Sequence, residues 1–193
     1  MPLHPLHPPH RAPVFPLTTP TILTLVAACA LAGCTPTLDW REARPPGSQL
    51  LLLFPCKPGV QQRQVPLAGQ PVLLTLHACA AGGQTWGLAM ADVADPARVA
   101  PSLAGFSAVA AANIGAAPPG AVPAPVPFAV RGATPNPGSQ RLLLQGKLPD
   151  GTQVTLHAVV FSHGTQVFQA SVLGEQVSVG AADTFFDALR VQP

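Results

Sequence analysis

The sequence predicts an α+β domain, an antiparallel β-sheet with two packing helices. The predicted elements run in the order of four strands, a helix, a proline-rich loop, three strands and a final helix. This order lacks the strict strand and helix alternation of a parallel sheet. The 193 residues include 25 Pro and 17 Gly, a share that excludes a helical bundle and favours short strands joined by turns.

The first half of the domain is predicted to contain four strands. An apolar run, QLLLLF at 49–54, stops at Pro55 and is typical of a strand buried on both faces. The turn between the second and third strands is Ala68-Gly69-Gln70-Pro71, a hairpin signal. The four predicted strands are residues 49–54, 62–67, 72–79 and 85–91.

A helix over residues 97–114 is predicted next. Asp95 followed by Pro96 suits a helix start, because the carboxylate caps free N–H groups and proline favours the first turn. One apolar stripe recurs at helical spacing. Its members are Val99, Leu103, Phe106, Val109 or Ala110, and Ile114.

The proline-rich stretch 116–138 predicts an extended loop with at most a short edge strand near 128–130. It is interpreted either as a surface connector or as a docking segment for a partner. The strands predicted after it are residues 141–147, 153–161 and 166–173. A last helix over 180–191 would dock an apolar face on the sheet. That face is Ala182, Phe185, Phe186 and Leu189.

The N-terminal segment has the pattern of a signal peptide. A 12-residue apolar stretch, 21–32, ends in Leu31, Ala32, Gly33 and Cys34. This resembles the bacterial lipoprotein signal, and the resemblance implies removal of residues 1–33 and lipid on Cys34. Several acyl chains would anchor the protein firmly, with residues 34–47 as a flexible tether.

Thr35 after the cysteine implies, for this family, the outer membrane, with the domain in the periplasm. An ordinary secretory signal with a chance cysteine, or an uncleaved segment, remains the alternative. His4, His7 and His10 alternate with prolines in the part to be removed, and no metal site is predicted there.

Two cysteines remain for the mature domain. Cys29 lies in the apolar stretch and Cys34 would carry lipid, which leaves Cys56 and Cys79. An oxidising periplasm favours a disulfide bond between them. Two buried free thiols, or a redox or nucleophilic cysteine, are the other interpretations.

Residues 48–191 resemble the PsbP-like α/β/α sandwich family, which includes DcrB-type bacterial lipoproteins. The resemblance rests on the opening Phe54-Pro55-Cys56-Lys57-Pro58, the Leu67-Ala68-Gly69 hairpin, the Ala-rich helix after Asp95, Pro149-Asp150-Gly151 and the terminal run 181–189. It implies the sandwich fold and a non-catalytic assembly or binding role. No catalytic residue is transferred.

Composition and residue pattern exclude several functions. Ten basic and eight acidic residues give a net charge of +2, without the clustered basic face that nucleic acid requires. We predict no catalytic residue, no metal site and no cofactor. His77 and His157 are interpreted as locally hydrogen-bonded strand residues rather than a ligand pair, and His163 as part of a turn. Asp92 and Asp95 are interpreted as capping residues rather than cation ligands.

Three functions remain open at this point. The first is a lipid-anchored envelope accessory, bound to the membrane through Cys34 and acting on an envelope protein partner. The second is a binder of a small apolar ligand or lipid in a pocket lined by Trp86, Phe106 and Phe161. The third is an enzyme with a histidine-based site at His77 or His157. The oligomeric state is left open.

Overall fold

A computed structural model describes residues 37–116 and 124–193 of the chain. The described residues between Thr37 and Pro193 form one compact unit. In the described ranges the chain forms ten strands and two α-helices. They are β1 (Arg41–Ala43), β2 (Leu50–Phe54), β3 (Gly59–Leu67), β4 (Gln70–Ala81), β5 (Gln84–Asp92), α1 (Val99–Asn113), β6 (Val126–Pro127), β7 (Gln140–Lys147), β8 (Gln153–His163), β9 (Gln166–Gly174), α2 (Val179–Asp187) and β10 (Arg190–Val191).

The strands form two sheets, and every pairing between named strands is antiparallel. The large sheet has seven strands in the order β3-β4-β5-β9-β8-β7-β6, and the small sheet has the order β1-β2-β10. Tight turns connect the two strands in three hairpins of the large sheet. In the β3–β4 turn both Ala68 and Gly69 adopt positive φ, 49° and 77°, which matches the twist of the paired strands. The predicted α+β class with antiparallel strands is therefore confirmed.

The two helices lie on opposite faces of the large sheet. Consecutive residues of strand β8 show this arrangement, because they pack against different helices. In β8, Phe161 packs with Phe185 and Phe186 of α2, whereas Val160 packs with Leu103 and Phe106 of α1. Side chains alternate across a strand, so α1 covers one face. The α2 helix and the small sheet cover the other.

The core beneath α2 is the more aromatic of the two. Trp86 and Phe185 are completely buried, and their rings meet edge to face with centroids 5.4 Å apart. Trp40 contacts Trp86 in the same way at 5.6 Å. Strand β2 lies over this layer with Leu50, Leu52 and Phe54 buried, in agreement with the burial predicted for its apolar run.

The N-terminal part of the domain differs from the prediction. The flexible tether was predicted to reach residue 47, yet the compact unit begins at Thr37. Arg41–Ala43 forms β1 and pairs with β2, while Leu38 and Trp40 pack against the core. The large apolar ring of Trp40 accounts for this, because leaving it in water forfeits the hydrophobic gain of burial.

Both helices are shorter than predicted. A single 3-10 turn, Pro96–Arg98, precedes α1, so the helix proper begins at Val99. The predicted C-terminal helix ends at Asp187, and Arg190–Val191 pairs with β2. A β-branched residue such as Val191 suits a strand, and pairing with the small sheet outweighs a helix continued through residues 188–191. The predicted apolar face of this helix is buried, including Leu189.

The short strand in the proline-rich loop is displaced from its predicted position. We predicted an edge strand near 128–130, and the structure places it at Val126–Pro127, paired with Gln140 and Arg141. Phe128 and Val130 instead pack against the aromatic core. Within the described residues, no helix is both long and apolar enough to cross a lipid bilayer.

Candidate functional site

The predicted lipidation site lies outside the described residues. The structure describes the chain from Thr37 onward. The signal box precedes that residue and consists of Leu31, Ala32, Gly33 and Cys34. The same holds for Thr35 and for His4, His7 and His10.

The predicted disulfide bond is present between Cys56 and Cys79, whose Cα atoms are 6.1 Å apart. Cys56 follows β2 of the small sheet and Cys79 lies on β4 of the large sheet. Both side chains border the aromatic core. The bond therefore ties the small sheet to the large one, and neither cysteine is a free thiol.

The histidines of the strands share one face of the sheet without meeting. His77 lies opposite Leu88 and His157 lies opposite Val172, both on the face covered by α2. Strands β5 and β9 separate them, a distance of about 14 Å at ~4.8 Å per strand. In the chain as described, no three His, Cys, Asp or Glu residues group in a manner suited to a metal ion.

Each of these two histidines is buried, with 5% and 8% exposure. Burial lowers the pKa of His77, because the charged imidazolium is poorly solvated there. Burial also lowers the pKa of His157, and the nearby Arg141 guanidinium adds to this effect while Asp183 opposes it. The Arg141 and Asp183 side chains pair at 2.8 Å.

His163 ends strand β8 rather than lying in the turn. Its Nε2 lies 3.1 Å from Gln49 Oε1, a contact that links the large sheet to the segment before β2. The turn itself contains Gly164, with φ of 55°.

Asp92 and Asp95 act as capping residues. The Asp92 carboxylate accepts the Ala94 N–H at 2.8 Å, and Asp95 accepts the Ala97 N–H at 2.9 Å. Ala94 has positive φ, 58°, an uncommon conformation that the local Asp92 contact supports. These carboxylates therefore serve the strand-to-helix junction.

A groove on the α1 face of the large sheet combines apolar and polar lining residues. Helix α1 crosses this face diagonally. Near its start it packs with Leu67 and Leu74 by the β3–β4 turn, and near its end Ile114 packs with Leu142 and Leu144 of β7. The diagonal leaves the far corner of β4, β5 and β9 uncovered.

The groove encloses about 310 Å³ between the helix and this corner. Its volume lies at the lower end of the ~300–1,000 Å³ typical of ligand sites. Phe106, Val109 and Asn113 form the helical wall, and Thr85, Gln169 and Ser171 are polar residues of the floor. The single charged residue in its lining is Arg63.

The floor of the groove leaves space below the helix because small residues pair with each other on neighbouring strands. The register joins Gly59 to Ala78, Ala78 to Gly87, and Gly87 to Ser171. A side chain at Gly87 would meet Ser171 Oγ at 3.2 Å, so this row is already closely spaced. The groove was not predicted from the sequence, because this row of small residues emerges only when the strand register is known.

The predicted pocket residues divide between the two faces. Phe106 lines the groove, as predicted for a ligand binder. Trp86 and Phe161 are completely buried on the opposite face and do not contribute. That part of the predicted pocket is wrong, because both side chains occupy β-strand positions whose alternation directs them toward α2.

Comparisons with known proteins give no assignment. No family model matches the chain, and no curated protein matches it. A crystal structure of a protein from Bacteroides thetaiotaomicron is similar over 81% of this chain and 50% of that one, with 9% identity and a TM-score of 0.44. The chain thus spans about half the length of that protein.

Proposed function

We propose that the protein is a lipid-anchored lipoprotein of the bacterial envelope, attached to the outer membrane through Cys34, with a non-catalytic interaction module in the periplasm. The observation that carries this proposal is the Cys56–Cys79 disulfide bond. Disulfide bonds persist in oxidising compartments and are rare in the cytosol. A domain that joins its two sheets with one is suited to the periplasm, and Leu31-Ala32-Gly33-Cys34 supplies the attachment.

The finer fold assignment is part of the same proposal. We propose that the domain belongs to the PsbP-like sandwiches, which include DcrB-type lipoproteins. The support is the layering of a helix on each face of one antiparallel sheet, together with the motifs 54–58 and 181–189. An alignment of homologues that links this chain to that family tests the assignment, and placement in another family contradicts it.

Replacement of the lipid acceptor tests the anchor. Cys34→Ser removes the thiol that would form the thioether, so the variant is expected to lose detergent partitioning and labelling by a palmitate analogue. Cys29→Ser is the matched control, because it removes a thiol five residues earlier and leaves the signal box intact. Equal membrane retention and labelling of both variants would overturn the proposal.

Crosslinking in intact membranes tests the interaction role. The full chain is treated with an amine crosslinker, which can react at Lys57 and Lys147, and the products are identified by mass spectrometry. A defined envelope protein, captured by wild type and lost with Cys34→Ser, is the expected result. Capture that does not depend on Cys34 argues against an anchored accessory.

A second candidate function, the binding of a small apolar ligand or lipid, is favoured by the groove beside α1. The groove has an aromatic and aliphatic wall with Phe106 and Val109, and polar groups on its floor. Such a mixture of apolar surface and a few polar groups is typical of ligand sites.

A further inference from the structure

We infer that the groove beside α1 binds a small amphipathic carboxylate, with its apolar chain along the helix and its carboxylate at Arg63. This inference rests on the ligand-binding candidate and not on the lipid anchor. It assigns both the site and the chemical class of ligand.

The apolar part of the ligand has a defined surface to contact. Phe106 and Val109 face the groove from α1, and Leu76 faces it from β4. Val109 is 50% exposed, although it belongs to the helix that buries its neighbour Ala110. An acyl chain laid along this wall would remove that apolar surface from water, which favours binding.

The charge of the groove selects an anion. Arg63 lies on β3 opposite Leu74, on the side of the groove away from the helix. The other lining residues are uncharged, and among the described residues the four ion pairs do not include Arg63. An arginine guanidinium binds a carboxylate in bidentate geometry, so a ligand with one carboxylate complements the site.

The length of the ligand is limited by the space. A cavity of about 310 Å³ is small for a membrane phospholipid and suits one short or medium acyl chain. The small residues Ala78 and Gly87 form its floor, so a larger side chain at Ala78 would occupy the same space as the ligand.

Titration of decanoate tests the inference. The protein is the full chain carrying Cys34→Ser, so that no acyl chain is attached, and binding is followed by calorimetry and by the amide resonances of Ala78 and Ser171. Ala78→Phe is expected to abolish saturable binding. Ala80→Phe is the matched control, because Ala80 is an exposed residue of the same strand and face and does not line the groove.

The charge is tested separately. Arg63→Gln is expected to raise the Kd for decanoate by about 1.4- to 5-fold, the range for an exposed ion pair, and to leave the Kd for decanol unchanged. Arg131→Gln removes an exposed guanidinium elsewhere and should change neither.

Several results would overturn the inference. They are no saturable binding of decanoate, equal binding by Ala78→Phe, equal loss with Ala80→Phe, or wild-type binding of decanol as tight as that of decanoate. Because these measurements use a protein without the lipid acceptor, their failure is distinguishable from failure of the anchoring proposal.

Discussion

At the scale of single residues, the two buried histidines couple folding to pH. His77 Nε2 is buried without a hydrogen-bond partner among the described residues, and His157 lies near the Arg141 guanidinium, which is itself 5.1 Å from the Phe186 ring centre. Burial at both sites, and Arg141 beside His157, disfavour the charged imidazolium. Both imidazoles are therefore stable in the fold as neutral groups.

This arrangement predicts a loss of stability in mild acid. Burial lowers the pKa of His77 and of His157 in the fold, so below pH ~6.5 the unfolded chain binds more protons than the folded one. The stabilisation that depends on neutral His77 and His157 should hence be complete above that pH. The free energy of unfolding should decrease as the pH falls toward the lowered pKa values of these residues. Urea denaturation at pH 7.5 and 5.5 measures the decrease.

Replacing the two imidazoles supplies the comparison. A His77→Gln, His157→Gln variant should show a smaller decrease between the two pH values, even where its overall stability is lower. An unchanged pH dependence would contradict the assignment of the effect to these residues.

At the scale of elements, close contact between α1 and β7 depends on one glycine. A Cβ atom at Gly146 would overlap the carbonyl oxygen of Ile114. The Lys147 N–H donates to that same oxygen at 2.6 Å, so the backbone of β7 holds the end of the helix directly.

Gly146→Ala is therefore expected to lower the free energy of unfolding by about 1–3 kcal/mol, the range for a forced overlap in a packed site. Gly180→Ala is the control, because a Cβ there meets nothing within 4 Å and alanine favours a helix by ~0.5–1 kcal/mol. Thermal and urea denaturation of both variants measure the contrast. Equal changes for the two would show that the contact with Ile114 is unimportant.

The elements that the sequence predicted well are those with a local signal. Strands β4, β5, β8 and β9 contain the predicted runs and extend them by at most two residues at either end, because apolar residues and turn glycines mark them. Strand β1 and strand β10 were missed. Each has two or three residues, and each depends on pairing with β2 from a distant part of the chain.

The same distinction applies to the candidate site. The pairing of Cys56 with Cys79 could be predicted, because few cysteines were available and the compartment expected from the N-terminal signal favours a disulfide bond. The groove could not, since its floor combines residues of β4, β5 and β9 whose neighbourhood depends on sheet order. The contacts of Arg98 also could not be predicted from the sequence. Its guanidinium donates to the carbonyl oxygens of Val93 and Leu67, at 2.9 and 3.0 Å.

At the scale of the whole molecule, the two sheets are held together by apolar packing and by one covalent bond. The small sheet contributes Leu50, Leu52 and Phe54 to the aromatic core, and Cys56 follows directly. The bond closes a segment with a sequence separation of 23. Within this segment lie β3 and most of β4.

Removal of the bond should destabilise the domain without abolishing its fold. The chain-entropy model gives roughly 3 kcal/mol for a loop of this length, while the packing of Phe54 on Phe185, with ring centres 5.5 Å apart, remains. A Cys56→Ala, Cys79→Ala variant should therefore unfold at a lower urea concentration with native-like circular dichroism. Wild type treated with reductant should shift by a similar amount, and the variant should not respond to reductant.

Two results would contradict this account. Equal unfolding midpoints for wild type and the double alanine variant would mean that the bond does not stabilise the domain. Two free thiols in the denatured, unreduced wild type would mean that the bond does not form in the protein as produced. The second result would also remove the observation that carries the periplasmic proposal, because that proposal rests on the presence of the bond.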